Sequence, residues 1–217
     1  MAGMSENERI TQKTYDLTAQ DWARGHNSAD YWREEFKTFS LMLPKGKVLD
    51  MGCGYGRDYA MFRDAGYDYV GLDFSYAFLA EMHKRFPEAK IVNANIRSIP
   101  ALFAEDSFDG FWAAASLLHI EKSVIKNALQ GIRQVVKPAG IGFISVKKGD
   151  GEGIVSETRD GWAAEDKRFF AYYQLHEFAQ ILSEAGFTPM LSGESQRNIG
   201  DTKWLEFIVR CDKSKGV

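Results

Sequence analysis

The chain has 217 residues, 45% of them hydrophobic and 26% charged, which suits an ordinary globular protein and excludes a disordered or fibrous one. Its formal net charge of −3 gives no electrostatic footprint of a nucleic-acid-binding protein. The two cysteines form neither a disulfide framework nor a metal-ligand spacing. Because the sequence shows no signal-peptide pattern and no apolar run of about 18 residues, we expect a cytoplasmic protein with no membrane partner, nucleic-acid partner or metal.

Short aliphatic or β-branched runs alternate with amphipathic stretches, which is typical of βα units around a mainly parallel sheet. In chain order, the pattern predicts a helix over 28–43, a strand over 47–50, a helix over 57–65, a strand over 69–73, a helix over 76–85, strands over 90–93 and 108–115, a helix over 125–136, a strand over 141–146, a Gly- and acid-rich stretch over 147–168, a helix over 178–185, and strands over 188–192 and 204–210. These seven strands and their helices fill the length, so we expect one domain over residues 1–217.

The most informative segment is the glycine loop within residues 48–57, between a predicted strand and a predicted helix. Glycine has no Cβ, so Gly52, Gly54 and Gly56 allow a tight turn and the close approach of a ligand to the backbone. The N-terminus of the following helix offers unpaired N–H groups to a carboxylate or phosphate. Dinucleotide-binding proteins use similar glycines, so this loop alone leaves the ligand open.

Polar residues stand at the ends of the first three predicted strands. Asp50 ends the first strand, Asp73 ends the second, and Asn95 follows the third. Ligands of open α/β sheets bind at this edge, where an acid after the second strand accepts both hydroxyls of a ribose. We therefore expect Asp50 to meet an ammonium group and Asp73 to hold a ribose, with an amino-acid carboxylate, the ribose and a purine arranged along one edge.

In order and spacing, these segments resemble the motifs of the class I S-adenosylmethionine-dependent methyltransferases, especially the small-molecule branch. The matching runs are residues 48–57, 70–75, 95–96, 108–113, 132–145 and 173–187, and the likeness covers nearly the whole chain. The resemblance implies a single-domain Rossmann-like α/β fold, with a seven-stranded, mostly parallel sheet and helices on both faces. Asn95 departs from the usual Asp of the third-strand motif, but it still accepts and donates hydrogen bonds, so we expect adenine binding to persist.

The resemblance also implies the activity, which is transfer of a methyl group from S-adenosylmethionine to a small-molecule acceptor by in-line displacement, with S-adenosylhomocysteine as product. Because the sulfonium is already activated, orientation and desolvation supply most of the catalysis, and a base is needed only for an acceptor that must lose a proton. The implied cofactor contacts are Tyr15, Asp50, Gly52, Cys53, Gly54, Gly56, Arg57, Asp73, Phe74, Ser75, Asn95, Ile96, Ala113 and Ala114.

His119 follows the fourth predicted strand and is the candidate general base, since the usual pKa of histidine suits proton transfer near neutrality. The alternative is a packing residue that orders the loop. Residues 1–43 resemble an N-terminal cap whose Tyr15 closes over the cofactor. Arg168, which could pair with a carboxylate on the acceptor, and Tyr172 are candidate substrate-binding residues. The alternative for Arg168 is a solvated surface arginine.

Residues 147–173 follow the fifth predicted strand at the cofactor edge of the sheet. The alternation of Gly149, Gly151 and Gly153 with acidic residues predicts a mobile stretch, so we expect a lid that orders over bound acceptor. Permanent packing of the aromatic residues that follow is the alternative.

Two other functions stay open at this point. A nicotinamide-dependent oxidoreductase fits the glycines and the acid after strand two only loosely, because the loop lacks the Gly-x-Gly-x-x-Gly register. A protein that binds S-adenosylmethionine without catalysing a reaction fits the same motifs. The acceptor, its reacting atom and the oligomeric state are not readable from the sequence.

Overall fold

The helices and strands of this chain were located in a computed structural model that describes residues 4–25, 31–157, 161–196 and 202–214. The helices are α1 (Glu6–Gly25), α2 (Arg33–Met42), α3 (Tyr59–Asp64), α4 (Tyr76–Arg85), α5 (Ile99–Leu102), α6 (Lys122–Val135) and α7 (Leu175–Glu184). The strands are β1 (Lys47–Met51), β2 (Asp68–Asp73), β3 (Ile91–Asn93), β4 (Phe108–Ala114), β5 (Val136–Lys148), β6 (Glu152–Glu157), β7 (Asp166–Tyr173), β8 (Phe187–Gln196) and β9 (Lys203–Cys211). None of the helices in these ranges is long and apolar enough to cross a membrane.

The sheet confirms the predicted Rossmann-like class but has nine strands within the described ranges, where seven were expected. Its parallel part has the order β3-β2-β1-β4-β5. Residues 141–147 of β5 pair with the antiparallel strand β9, which also pairs with β8. The end of β5 pairs in parallel with β7, which forms a hairpin with β6. The two additional strands therefore come from the hairpin.

The core lies on both faces of the central strand β4. Because successive side chains of a strand point to opposite faces, Trp112 packs against Phe39 and Phe62 of α2 and α3, with ring centroids 5.5 and 5.6 Å away. Phe111 instead meets Phe187 at 5.5 Å. All five rings are buried. Burial of each ring contributes roughly 1.5–3 kcal/mol, and together they keep the carboxyl end of β4 in place.

Helix α1 was not predicted, because the face that it buries is polar. Thr11, Thr14 and Thr18 are buried on it, so the sequence shows no apolar stripe at helical spacing. The local signal that was present is a capping box. The Ser5 hydroxyl accepts a hydrogen bond from the Glu8 N–H at 3.2 Å, and the Glu8 carboxylate accepts one from the Ser5 N–H at 2.7 Å.

The sequence predicted no strand in the Gly- and acid-rich stretch, and the structure corrects this with β6 and the start of β7. After a turn in which Gly149 and Gly151 have positive φ, β6 pairs antiparallel with β7. Composition alone was misleading because the apolar partner of β6 lies further along the chain, in β7, where Phe169 and Phe170 are buried.

Two element boundaries also differ from the prediction. Strand β5 begins at Val136 rather than 141, since Val136 pairs with Phe108 and Ile141 with Gly110, and the residues between form a bulge. Within the described residues the helix expected over 28–43 is α2, and residues 28–30 of that prediction lie outside the described ranges.

Candidate active site

A cavity of about 340 Å³ opens at the carboxyl ends of the parallel strands, where the sequence placed the cofactor. Of the predicted site residues, the structure brings together Tyr15, Gly52, Cys53, Gly54, Arg57, Asp73, Phe74, Asn95, Ile96, Ala114, His119 and Arg168 in its wall. Asp50, Gly56, Ser75, Ala113 and Tyr172 lie outside the wall.

The glycine loop follows β1 and requires glycine for two different reasons. Gly52 has a φ of 76° and a Cβ there would lie 2.4 Å from the Cβ of Ser116, so both backbone and space exclude a side chain. Gly54 has a φ of 56°, while a Cβ would find its nearest neighbour, Phe78, at 3.9 Å. At Gly54 the requirement is therefore backbone conformation, and the space beside it remains part of the cavity.

Asp73 ends β2 with its carboxylate held by the backbone. One oxygen accepts a hydrogen bond from the Gly54 N–H at 2.9 Å and the other accepts one from the Ser75 N–H at 2.8 Å. Burial raises the pKa of Asp73 to about 6, against the effect of these two donors. A carboxylate oxygen accepts more than one hydrogen bond, so acceptor capacity remains for two hydroxyl groups of a ligand.

Asp50 does not take the position expected for it. Its carboxylate accepts a hydrogen bond from the Tyr69 hydroxyl at 2.7 Å, and burial, with the charge of Asp58, raises the pKa of Asp50 to about 8. Asp58, in the turn after the glycine loop, does line the cavity. Its oxygens accept from Arg57 Nε and Nη2 at 2.7 and 2.8 Å and from the Trp112 ring N–H at 3.0 Å. The ammonium contact predicted for Asp50 is therefore a poor fit to this structure.

Asn95 is tied to the cap helix by Glu8, which the sequence did not reveal as a site residue. The Asn95 amide donates to Glu8 Oε1 at 3.0 Å, and its oxygen accepts from the Arg97 N–H at 2.8 Å. Arg97 also holds both Glu8 oxygens, at 2.9 and 2.6 Å. An Asp at this position would place a second carboxylate against buried Glu8, which is a physical reason for the departure at Asn95.

The other predicted site residues that lie outside the wall have local roles in the fold. Ser75 is the N-cap of α4, where its oxygen accepts from the Phe78 N–H at 3.2 Å and its hydroxyl donates to Asp16 at 2.7 Å. Gly56 packs against α4, with a Cβ there reaching Met82 at 2.9 Å. Ala113 is buried within β4. Tyr172 lies outside the wall, whereas Phe170, two residues earlier on β7, is part of it.

Tyr15, His119 and Arg168 form one hydrogen-bonded cluster in the wall. The Tyr15 hydroxyl lies 2.7 Å from His119 Nε2 and accepts from Arg168 Nη1 at 3.0 Å. His119 Nδ1 lies 2.7 Å from the Phe169 carbonyl oxygen, and Arg168 is held by both oxygens of Asp166. Burial, followed by the charge of Arg168, lowers the pKa of His119 to about 3. Arg168 is thus buried and paired within the protein rather than solvated.

Sequence reasoning missed a further group of wall residues. They include Glu8, Tyr31, Tyr55, Asp58, Phe78, Ser116, Leu118, Ile120, Lys147 and Trp204, and the wall also contains Trp22 of α1 and Phe170 of β7. The ammonium of Lys147 lies 3.6 Å from the centroid of the Phe170 ring, a cation–π contact beside His119. Lys147 is the next-to-last residue of β5, at the cofactor edge, so its position just after the predicted strand was a usable signal. Tyr31 and Trp204 come from segments with no local indication. Within the described ranges no cluster of His, Cys, Asp and Glu offers a metal site.

Comparison with known proteins finds that methyltransferases are similar to this chain. The family model described as "Methyltransferase domain" matches residues 48–140. A demethylmenaquinone methyltransferase of Renibacterium salmoninarum is 30% identical over 126 residues, which are 58% of this chain and 51% of that protein. The chain spans about half the length of the curated relatives it matches.

Solved structures show the fold. The 1,6-didemethyltoxoflavin-N1-methyltransferase of Burkholderia thailandensis, with its substrate and S-adenosylhomocysteine bound, superposes with a TM-score of 0.75 at 23% identity, over 98% of this chain and 93% of that one. The [4+2]-cyclase SpnF superposes with a TM-score of 0.68 at 18% identity, over 98% of each chain. These comparisons show that residues 48–140 match a methyltransferase domain and that the chain shares its fold with a methyltransferase solved with S-adenosylhomocysteine bound.

Proposed function

We propose that this chain binds S-adenosylmethionine in the cavity and transfers its methyl group to a small-molecule acceptor, a reaction of class EC 2.1.1. The observation that carries the proposal is the position of the Asp73 carboxylate beside the glycine loop. Hydrogen bonds from the Gly54 and Ser75 N–H groups fix its orientation. Asn95 and Ile96 line the same cavity and would suit the adenine, since they follow β3, which lies beside β2 and its Asp73 in the sheet.

The residues present fit this cofactor. Asp73 would hold the ribose hydroxyls, the backbone of the glycine loop would hold the amino-acid end, and Phe74 and Ile96 would flank the adenine. S-adenosylmethionine supplies an already activated methyl group on a cationic sulfonium. The protein's contribution is orientation and exclusion of water, worth several kcal/mol at reacting distances of about 3–3.5 Å. The rings of Tyr15, Trp22 and Phe170 in the wall favour a dry site.

A small-molecule acceptor is supported by the relatives' names, which include a demethylmenaquinone and a didemethyltoxoflavin methyltransferase. Lys147 of β5 and Phe170 of β7 would line the part of the cavity that receives the acceptor. Arg168 is bound to Asp166 and Tyr15, so any contact with an acceptor would use its remaining N–H groups. A cytoplasmic location and the absence of a nucleic-acid partner stay predictions.

Calorimetric titration with S-adenosylhomocysteine and with NADH tests the cofactor. We expect S-adenosylhomocysteine to bind and NADH not to bind. Asp73→Ala should weaken S-adenosylhomocysteine binding by about tenfold or more, since unpaired ribose hydroxyls in a buried site cost on the order of 1–3 kcal/mol. Asp68→Ala, at the exposed start of β2, is the matched control. NADH binding in place of S-adenosylhomocysteine would favour the oxidoreductase, and equal affinities for wild type and Asp73→Ala would remove the ribose assignment.

One observation favours a second function, in which the chain binds the cofactor but catalyses a different reaction. The protein SpnF has this fold and is named a [4+2]-cyclase. Incubation with methyl-labelled S-adenosylmethionine and a panel of carboxylate, phenol, thiol and heteroaromatic acceptors separates the two. Label in any acceptor supports the methyltransferase. Tight cofactor binding with no label transferred across the panel would favour a protein that binds the cofactor and acts otherwise.

A further inference from the structure

The cavity wall has two sides, which the order of strands in the sheet separates. The glycine loop, Asp73 and Asn95 lie at the carboxyl ends of β1, β2 and β3, on one side of the central strand β4. On the other side of β4 the wall contains Lys147 of β5, Phe170 of β7 and Trp204 of β9. Strand β5 is next to β4, and both β7 and β9 pair with β5. The proposed cofactor occupies the first side, so the second side is left for the acceptor.

Lys147 brings a positive charge to the aromatic side of the cavity. Lys147 and Trp204 are directly opposite each other in the antiparallel pair of β5 and β9, so their side chains lie on the same face of the sheet. The Lys147 ammonium lies over the Phe170 ring, 3.6 Å from its centroid. Contact with a ring face holds a cation in place without removing its charge. This side of the cavity therefore combines flat apolar surfaces with a cation.

The acids of the wall are bound on the cofactor side. Both oxygens of Glu8 accept hydrogen bonds from Arg97, at 2.9 and 2.6 Å. Asp58 accepts from Arg57 at 2.7 and 2.8 Å. The Asp73 carboxylate accepts from backbone N–H groups beside the glycine loop. Negative charge in the wall is thus concentrated around the proposed cofactor, whereas the strands beyond β4 present positive charge to a bound molecule.

Two cations lie on the acceptor side, and one of them is already engaged. Both oxygens of Asp166 accept hydrogen bonds from Arg168, which also donates to the Tyr15 hydroxyl. After burial, the charges of Arg168 and Lys147 lower the pKa of His119 to about 3, so both charges act within the wall. An acceptor that paired with Arg168 would compete with Asp166. Lys147 is therefore the better-placed cation for an acceptor.

A buried hydroxyl at the boundary of the two sides also indicates a ligand. Ser116, in the turn after β4, lines the cavity and is 7% exposed. Among the residues that the structure describes, none forms a hydrogen bond with its Oγ. The Ala115 N–H donates to Ser145 Oγ at 2.8 Å, which ties this turn to β5 two residues before Lys147. Because buried hydroxyls are normally hydrogen-bonded, a polar group of a bound molecule is the expected partner of Ser116.

We propose that Lys147 selects the methyl acceptor, and that the acceptor is a planar ring compound with an anionic group that the Lys147 ammonium binds. The inference rests on the proposed function, because it assigns the second substrate of that reaction. The ring of the acceptor packs against Trp204, and its anionic group accepts a charge-assisted hydrogen bond from Lys147. An uncharged compound of the same shape loses that bond. Charge and flatness together therefore define the class of acceptor.

Matched pairs of ligands test the inference, because a carboxylate and its primary amide have nearly the same shape and differ in charge. The probes are salicylate and salicylamide, indole-3-carboxylate and indole-3-carboxamide, and nicotinate and nicotinamide. Each is titrated by calorimetry into protein saturated with S-adenosylhomocysteine. In at least one pair the carboxylate should bind about tenfold more tightly than the amide, the value of one charge-assisted hydrogen bond.

Variants of Lys147 show whether its charge causes this preference. Lys147→Met removes the ammonium and keeps an unbranched chain, so the carboxylate should lose most of its tenfold advantage while the amide binds as before. Lys147→Gln repeats the comparison with a neutral polar side chain, and Lys147→Arg should retain the preference. Lys148→Met is the matched control, because Lys148 points to the opposite face of β5 and donates to Glu194 at 2.6 Å. Its preference should equal that of the wild type.

The possible failures are distinguishable. Equal affinities within every pair, including no binding of either member, would overturn the inference, as would a preference that survives in both neutral variants. The proposed function stands in those cases as long as S-adenosylhomocysteine binds. Wild-type protein that does not bind S-adenosylhomocysteine would overturn both. Parallel titration of each variant with S-adenosylhomocysteine separates loss of the charge from loss of the fold.

Discussion

At the level of single residues, Asp73 shows how a buried carboxylate makes cofactor binding depend on pH. The pKa of Asp73 is raised to about 6 because burial outweighs the hydrogen bonds from the Gly54 and Ser75 N–H groups. Below that pH the carboxyl carries a proton and loses acceptor capacity for ribose hydroxyls.

We therefore expect the affinity for S-adenosylhomocysteine to fall as the pH is lowered through about 6, because only the ionised Asp73 accepts both hydroxyls. Calorimetric titration at about pH 5, 6 and 7 measures this. Asp73→Asn is the matched variant, since its amide does not titrate, and its affinity should be lower at pH 7 and nearly flat over the same range. Parallel pH dependences for the two proteins would assign the effect to another group.

The contact between Asn95 and Glu8 gives a second residue-level prediction. Asn95→Asp places two carboxylates about 3 Å apart, the distance of the present amide–carboxylate bond. We expect Asn95→Asp to lower the melting temperature. We also expect it to weaken the affinity for S-adenosylhomocysteine, by about tenfold or less. The double variant Glu8→Gln/Asn95→Asp restores one donor and one acceptor and should recover much of both losses. A double variant as poor as the sum of its single changes would mean that the two residues are not coupled.

At the level of elements, the β6–β7 hairpin is a platform for the site as the structure presents it. Phe169 and Phe170 are buried, the Phe169 N–H donates to Thr11 at 3.0 Å, and the Tyr172 N–H donates to the Gly151 oxygen at 3.0 Å. The hairpin therefore supplies the Phe169 carbonyl oxygen that accepts a hydrogen bond from His119. It also supplies the surface against which α1 packs. The lid expected over residues 147–173 stays a prediction that competes with this arrangement.

Hydrogen exchange separates the lid from the platform. We expect the amides of residues 166–173 to exchange slowly in the ligand-free protein and to change little on addition of S-adenosylhomocysteine, because strand pairing and burial already protect them. The amides of β1, in the middle of the sheet, provide an internal reference. Fast exchange without ligand, slowed when S-adenosylhomocysteine or an acceptor is added, would establish the lid instead.

At the level of the whole molecule, buried acids give folding stability a pH dependence. The pKa of Asp50 is raised from 3.8 to about 8 by burial and by the charge of Asp58. Between about pH 4 and pH 8 the unfolded chain has lost this proton while the folded chain keeps it, so stability falls as the pH rises through that window. Asp50 thus stabilises the fold most in its protonated form, bound to Tyr69.

Asp50→Asn should remove this dependence, because asparagine keeps an oxygen for the Tyr69 hydroxyl and has no proton to lose. Relative to wild type, we expect its melting temperature to gain roughly 5 °C or more between about pH 4 and pH 8. Asp68→Asn, an exposed change on the adjacent strand, should show no such trend. Melting curves of all three proteins across the window measure it, and a constant difference would show that Asp50 ionises normally in the fold.

Local signals in the chain account for the elements that face the cofactor. The run of aliphatic residues, three glycines and a terminal acid is sufficient to predict β1, the loop and Asp73, because glycine conformation and strand-end position act over a few residues. Ser75, the N-cap of α4, is likewise a local feature, because serine is a preferred N-cap residue directly before a helical run. These features depend on backbone geometry and on side chains close in the chain.

The pairing of side chains in the site was decided by the tertiary structure. Tyr15 meets His119 across 104 residues, and His119 meets the Phe169 carbonyl across 50. Asp50 is withdrawn to Tyr69, and Glu8 reaches Asn95 from a helix whose buried face is polar. Hydrogen-bond partners and burial determine a side chain's protonation and direction, and both depend on segments that only the fold brings together.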